Sequence, residues 1–189
     1  KRLRFKLDEE VERSSMTAEI ELVPIIESTY NPRAYSSSHA SGIWQFIPST
    51  GKYYGLKQNW WHDDRRDIVA ATTAALDYLQ NLYGMFGDWE LVLASYNWGE
   101  GAVGRSLIKN RNNGLPADVR NISLPPETQN YVPKLIAIKN IISNPAAFGA
   151  ALESVTTQPY FGAVGTTRPK DVTLASRLAD IDVRGCKQP

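Results

Sequence analysis

The chain has 189 residues, of which 42% are hydrophobic and 22% are charged, so it can form one globular domain with its own core and is not globally disordered. Lys and Arg number 21 against 20 Asp and Glu, and this net charge of +1 argues against a nucleic-acid-binding protein. A single cysteine excludes a disulfide framework, and two histidines leave little for a zinc site, so we expect neither metal nor cofactor. No apolar run approaches the ~18 residues of a membrane span.

The hydrophobic pattern predicts a succession of helices. Residues 1–15 are charged and weakly amphipathic, as in a surface helix. A second helix is predicted to begin at Thr17 and to be kinked or restarted at Pro24. Residues 33–47 are rich in Ser, Ala and Gly, which is typical of an irregular loop. Apolar residues at helical spacing, bounded by Asp, Pro and Gly, then predict helices over 48–55, 67–83, 88–96, 99–109 and 126–142.

The composition changes after Phe148, where Thr, Val, Gly and Pro increase. We therefore divide the chain into a mainly α domain over 1–149 and a short non-helical tail over 150–189, which is extended or links to a further module. Within this tail the pattern permits one helix over 173–181. Because the chain starts at Lys1 without a methionine or a signal peptide, we expect it to be a trimmed or mature piece.

Glu27 is the first candidate for chemistry. It follows the apolar segment Pro24-Ile25-Ile26 and lies where a helix meets a loop. Apolar neighbours disfavour the ionised carboxylate, so we expect a raised pKa, which is what a general acid needs. On residue chemistry alone, a solvated glutamate at a helix end is the more common structure.

A second catalytic carboxylate, which ordinary glycosidases use, does not stand out. The candidates are Asp63, Asp64 and Asp67. All three lie beside Arg65 and Arg66, and they are better explained as helix caps and surface ion pairs. We therefore assign no partner carboxylate from the sequence.

Several polar or amphipathic residues lie near glycines, which permit close approach of a ligand or of another helix: Ser36, Gln45, Tyr96 and Asn97. Clustered Trp and Tyr residues are typical of core packing and are also found in sugar-binding grooves. The glycine-rich segment 99–104 follows no predicted strand, so we do not interpret it as a nucleotide-binding loop.

Four motifs in a fixed order carry a resemblance to a known family. They are ES with YNP at 27–32, GIWQFIPST at 42–50, ASYNWG at 94–99 and ET with YV at 127–132. Over roughly residues 8–150 they resemble the superfamily of soluble lytic transglycosylases and goose-type lysozymes, and within it the membrane-bound lytic transglycosylases. Ser95 stands where the motif often has Ala. The resemblance implies a mainly α, lysozyme-like fold.

The resemblance also implies an activity. The family cleaves the β-1,4 bond between N-acetylmuramic acid and N-acetylglucosamine in peptidoglycan glycan strands, without water, and leaves a 1,6-anhydro ring. By position, Glu27 matches the single catalytic acid, which would donate a proton to the glycosidic oxygen and later take one from the C6 hydroxyl. The residues implied to bind substrate are Ser36, Gln45, Tyr96, Asn97, Glu127 and Tyr131.

Other functions stay open on the sequence. A muramidase would hydrolyse the same bond with a positioned water and usually a second carboxylate, for which Asp63 or Asp64 are the nearest candidates. A non-catalytic peptidoglycan-binding module would keep the groove without the chemistry. Nucleic-acid binding is a distant third.

A peptidoglycan substrate implies the bacterial periplasm. The resemblance to the membrane-bound subfamily implies outer-membrane association through a segment upstream of Lys1, and cell-wall-binding modules after Pro189. We expect a monomer, and we interpret Cys186 as a free thiol or a residue at a module boundary.

Overall fold

The computed structural model describes residue 16, residues 18–152 and residues 171–178. The described part of the chain is mainly helical and has three isolated β-bridges but no strand, which confirms the predicted fold class. The predicted surface helix over 1–15 and the predicted free thiol Cys186 lie outside the described residues.

The helices follow one another along the chain, and the longer ones form the body of the domain. In chain order they are a 3₁₀ helix at Ala18–Leu22, α1 at Val23–Ser28, α2 at Pro48–Tyr53, a 3₁₀ helix at Asp64–Arg66, α3 at Ile68–Phe86, α4 at Trp89–Trp98, α5 at Glu100–Asn112, α6 at Pro126–Ser143, a 3₁₀ helix at Pro145–Phe148 and α7 at Val172–Leu178. Each helix predicted between residues 48 and 142 is present, with ends displaced by a few residues at most.

Short polar side chains and a glycine set the ends of the central helices. The carboxylate of Asp67 accepts a hydrogen bond from the N–H of Ala70 at 2.8 Å, and that of Asp88 accepts one from Leu91 at 2.9 Å. These bonds satisfy amide groups that the first helical turn leaves free. Helix α3 ends at Gly87, whose φ of 64° lies in the left-handed region that glycine adopts without strain.

The segment before the first loop restarts at Pro24 instead of bending there. The chain leaves a 3₁₀ helix, and Pro24 occupies the first turn of α1, where its missing N–H costs no helical hydrogen bond. Helix α1 ends at Ser28, because Thr29 adopts a left-handed conformation with a φ of 51°. Glu27 is thereby placed in the last turn of α1, at the edge of the loop.

Helix α4 lies at the centre of the domain and packs against α3, α5 and α6. The main core contains large side chains that are almost completely buried: Ile20, Val23, Trp44, Leu79, Leu82 and Val92. Each such burial is worth about 1.5–3 kcal/mol. The indole N–H of Trp44 donates to the hydroxyl of Thr72 at 3.0 Å, so the loop before α2 is tied into this core.

The described part of the tail contains helix α7, where the sequence permitted a helix over 173–181. The tail is therefore not wholly non-helical. Its helix begins earlier than expected, because Asp171 accepts a hydrogen bond from the N–H of Leu174 at 3.0 Å. Over residues 18–152 and 171–178, no helix combines the length and the apolar character of a membrane span.

Candidate active site

A groove of about 740 Å³ is lined by residues from α1 to α6 and from the loop between α1 and α2. Every residue singled out as a site residue from the sequence lines this groove: Glu27, Ser36, Gln45, Tyr96, Asn97, Glu127 and Tyr131. The fold brings together side chains that are far apart in the sequence, since Glu27 and Tyr131 are 104 positions apart and share a hydrogen bond.

Glu27 is half-buried at the wall of this groove. Burial raises its pKa from 4.5 to about 7, a hydrogen bond from Tyr131 opposes that rise, and the negative charge of Glu127 adds to it. The phenol of Tyr131 donates to Oε1 of Glu27 at 2.5 Å. A carboxyl group with this pKa is available in both protonation states near neutral pH. The raised pKa agrees with the sequence expectation, and Glu27 is not a solvated helix-end residue.

Two tyrosines on neighbouring helices hold protons beside Glu27. Burial and the proximity of Glu27 raise the pKa of both Tyr131 and Tyr96 well above the ordinary value, so both phenols stay protonated. Tyr131 donates to Glu27 itself, whereas Tyr96 donates to the carbonyl oxygen of Trp44 at 2.7 Å. Tyr131 thus orients the carboxyl group, and Tyr96 ties α4 to the loop that carries Gln45.

The loop between α1 and α2 adopts a conformation that needs glycine at one position. Gly42 has a φ of 82°, and a Cβ atom there would lie 1.8 Å from the carbonyl oxygen of Arg65. The side-chain amide of Gln45 donates to the carbonyl of Gly42 at 2.7 Å, and Gln45 itself has a φ of 50°. This strained turn presents Gln45 to the groove.

A buried arginine supports the same loop from behind. Arg65 is 6% exposed and donates through Nη1 to the carbonyls of His39 at 2.7 Å and Phe46 at 3.0 Å. Its Nε and Nη2 groups bind the two carboxylate oxygens of Asp63 at 2.9 and 2.7 Å. The expectation of a surface ion pair is wrong for Arg65, because its guanidinium satisfies backbone carbonyls inside the fold.

The aspartates weighed as second catalytic carboxylates have structural roles. Asp63 binds Arg65, Asp64 accepts a hydrogen bond from the N–H of Lys57 at 2.8 Å, and Asp67 caps α3. None of the three is among the residues that line the groove in the described part of the chain.

Asn97 and Glu127 connect α4 to the start of α6. The side-chain amide of Asn97 donates to Oε1 of Glu127 at 3.4 Å and accepts from the hydroxyl of Thr128 at 2.7 Å. Glu127 is exposed in the first turn of α6, where the helix dipole favours a negative charge. Asn97 therefore supports the groove wall by joining α4 to α6.

Ser36 lies in a tight turn at the rim of the groove. Its hydroxyl oxygen accepts a hydrogen bond from the N–H of Ala40 at 3.1 Å, and its own N–H donates to the carbonyl of Ala40 at 3.0 Å. These two bonds hold the turn that brings residues 36–38 and 40 to the groove. Ser36 thus shapes the rim through its side chain as well as lining it.

Sequence reasoning missed Tyr78 and Glu100, which also line the groove. The phenol of Tyr78 donates to Oε2 of Glu100 at 2.8 Å, and burial together with Glu100 raises the Tyr78 pKa. Tyr78 has the helical spacing of a core residue, so its sequence position gave no separate signal. Glu100 directly follows Gly99 at the end of a recognised motif, and that position could have marked it.

The aromatic clusters are divided between core, groove and surface. Trp44 is fully buried, and Trp98 lines the groove. Trp60 and Trp61 are each 89% exposed and lie outside the groove lining. Within the ranges 18–152 and 171–178, no group of three or more His, Cys, Asp or Glu residues is arranged to hold a metal ion.

The sequence model of the transglycosylase SLT domain matches residues 7–116, more than half of the chain. The chain therefore belongs to this family. The matched range contains Glu27, Ser36, Gln45, Tyr96 and Asn97 of the groove. Its described part has the mainly helical architecture that the resemblance to lysozyme-like proteins implied.

Individual relatives agree with this membership. The chain is 41% identical over 179 residues to membrane-bound lytic murein transglycosylase D of Escherichia coli (strain K12), covering 94% of the chain and 40% of that relative. It is 38% identical over 151 residues to a protein of Alteromonas sp. (strain M-1) named "Putative tributyltin chloride resistance protein", covering 78% of the chain and 72% of that relative. It is 34% identical over 114 residues to peptidoglycan transglycosylase gp16 of Escherichia phage T7, covering 59% of the chain and 8% of that relative. The chain thus spans less than half the length of the E. coli relative.

Proposed function

We propose that this SLT domain is a lytic transglycosylase that acts on peptidoglycan glycan strands. It cleaves the bond between N-acetylmuramic acid and N-acetylglucosamine without water and leaves a 1,6-anhydro ring on the muramic acid. The observation that carries this proposal is the half-buried carboxyl group of Glu27, which has a pKa of about 7 and binds Tyr131 inside an open groove.

One carboxyl group can serve both proton transfers of this reaction. Protonated Glu27 donates its proton to the glycosidic oxygen while the bond from C1 to that oxygen breaks. The carbonyl oxygen of the substrate's own N-acetyl group stabilises the positive charge at C1. Ionised Glu27 then takes the proton of the C6 hydroxyl while the C6 oxygen bonds to C1. This step returns Glu27 to its protonated form. A pKa of about 7 supports both roles at neutral pH, because neither form of the group is strongly disfavoured.

Tyr131 adjusts Glu27 for this double role. Burial alone favours the neutral acid, and the hydrogen bond from Tyr131 stabilises the ionised form. The bond also fixes Oε1, so the carboxyl group meets the substrate in a defined orientation. Tyr131 is 3% exposed, and its position is therefore set by packing in the core.

The other groove residues are proposed to bind the sugars. Gln45 and Ser36 present polar groups from the loop, and Tyr96 contributes an aromatic edge from α4. Asn97 and Glu127 act as a linked pair, whose exposed carboxylate can accept hydrogen bonds from sugar hydroxyls or amides.

A peptidoglycan substrate places the enzyme in the bacterial periplasm. The name of the E. coli relative describes a membrane-bound protein, which supports association with the outer membrane through a segment outside this chain. We expect the domain to act as a monomer.

Product analysis tests the proposal. Purified sacculi are digested with the wild-type protein, with Glu27→Gln and with the control Glu90→Gln, whose carboxylate lies 3.9 Å from Arg120 outside the groove lining. We expect anhydro-muropeptides from the wild type and from Glu90→Gln, and none from a folded Glu27→Gln. Products heavier by one water would indicate a muramidase, and binding of sacculi without any product would indicate a non-catalytic module.

A further inference from the structure

Four tyrosine rings form a continuous row from the groove to the protein surface. The ring centres of Tyr96 and Tyr78 are 5.4 Å apart, those of Tyr78 and Tyr54 are 5.1 Å apart, and those of Tyr54 and Tyr53 are 5.1 Å apart. Tyr96 and Tyr78 line the groove, whereas Tyr53 is 80% exposed. We call these four residues the tyrosine row.

The inner rings of the tyrosine row are held in place by hydrogen bonds. The hydroxyl of Tyr96 donates to a backbone carbonyl, and that of Tyr78 donates to Glu100. The hydroxyl of Tyr54 accepts a bond from the side chain of Asn81 at 3.1 Å. The ring of Tyr54, on which the Tyr53 ring packs, is therefore held in place.

Tyr53 is the last residue of α2 and lies next to the groove without being one of its lining residues. Thr50 lines the groove, and Tyr53 follows it by three residues, so the two side chains are neighbours on one helix face. Another residue of α2, Gly51, packs closely against the loop, because an added Cβ atom there would lie 3.0 Å from the side chain of buried Arg65. The close packing at Gly51 holds α2, the helix that carries Tyr53, against the side chain of Arg65.

We propose that the groove extends beyond Tyr78 as a distal glycan subsite, in which the exposed ring of Tyr53 stacks on a sugar ring of the bound strand. This inference rests on the proposed function, because it requires a saccharide longer than the part of the strand that contacts Glu27. Tyr53 is 80% exposed, so the face of its ring is accessible to a ligand at the end of this row. An aromatic face can pack against the C–H face of a pyranose while the phenol stays in water. Trp60 and Trp61 have no ring contact with the tyrosine row among the described residues, so they are not part of this subsite.

The test compares ligands of two lengths in a background that cannot turn them over. Binding of chitotriose and chitohexaose to Glu27→Gln is measured by calorimetry, with and without Tyr53→Ala. We expect Tyr53→Ala to weaken chitohexaose binding about five- to tenfold, which is the scale of one lost aromatic stack, and to leave chitotriose binding unchanged. Tyr53→Phe should restore the affinity, because the ring and not the hydroxyl makes the contact.

Tyr83→Ala is the matched control. This tyrosine lies on α3, is partly exposed and stacks on Trp89 at 4.8 Å, outside the groove lining. It should leave the binding of both ligands unchanged. Unaltered chitohexaose affinity in Tyr53→Ala, or an equal loss for both lengths, would overturn the distal subsite. Failure of the proposed function is a separate result, since it would be seen as a wild-type domain that releases no anhydro product from sacculi.

Discussion

Removing the phenol that binds the proposed catalytic acid should change the pH dependence of the enzyme in a predictable direction. The hydrogen bond from Tyr131 to Oε1 of Glu27 stabilises the ionised carboxylate and lowers a pKa that burial has raised. Tyr131→Phe deletes this donor and leaves the ring in the core. The pKa of Glu27 should therefore rise above about 7.

The size of this shift follows from the strength of the bond. A hydrogen bond to a charged group contributes about 1.5–3 kcal/mol, and one pKa unit corresponds to about 1.4 kcal/mol. Glu27 is half-buried and water can partly replace the donor, so we take the lower part of this range and expect a rise of about one unit. In the proposed reaction Glu27 has to be protonated to donate to the leaving oxygen, so the alkaline limb of kcat/KM should move upward by the same amount.

The assay is the release of soluble muropeptides from sacculi as a function of pH. The control is Tyr96→Phe, which loses a bond to the carbonyl of Trp44 and leaves the Tyr131 bond to Glu27 in place. Its alkaline limb should stay close to that of the wild type. An alkaline limb that is unchanged or lowered in Tyr131→Phe would refute the assignment of Tyr131 as the group that stabilises ionised Glu27.

Three further predictions concern stability and packing. Glu27 is protonated more readily in the folded state than in the unfolded chain, so the free energy of unfolding should fall as pH rises from 4.5 to about 7. In urea titrations at pH 8, Glu27→Gln should therefore be more stable than the wild type by about 1–3 kcal/mol. Equal stability at that pH would contradict the raised pKa of Glu27. Arg65→Ala leaves Asp63 and two backbone carbonyls without their partner, so the free energy of unfolding should fall by about 3–5 kcal/mol in the same titrations. A fall of less than about 1 kcal/mol would show that the buried guanidinium does not hold the loop. The hydroxyl of Ser95 is buried without a hydrogen-bond partner among the described residues. Ser95→Ala should therefore raise the free energy of unfolding by about 1 kcal/mol and leave muropeptide release unchanged. A destabilised variant would show that this hydroxyl has a partner.

Local signals in the sequence were sufficient to predict where the main helices begin and end. Asp67 and Asp88 precede apolar residues at helical spacing, Gly87 follows them, and the structure uses all three to begin or end a helix. The motif order was sufficient to predict part of the groove lining, because each motif falls at a helix end or in the loop that faces the groove.

Contacts between distant segments could not be predicted. Tyr78 has the spacing of a core residue, and only the packing of α3 against α4 shows that its hydroxyl reaches Glu100. The sequence places Arg65 in a run of charged residues typical of a surface, yet its guanidinium is inside the fold on the carbonyls of His39 and Phe46. Those carbonyls are backbone acceptors, which any sequence provides, so the residue names carry no signal of this role.

In the proposed reaction the sugar's own C6 hydroxyl attacks C1 and water does not. Digestion of sacculi in water enriched in heavy oxygen, followed by mass analysis of the muramic acid ends, measures this directly. We expect anhydro ends that carry no heavy oxygen from the solvent and that are absent with Glu27→Gln. Incorporation of solvent oxygen at C1 by the wild-type domain would contradict it.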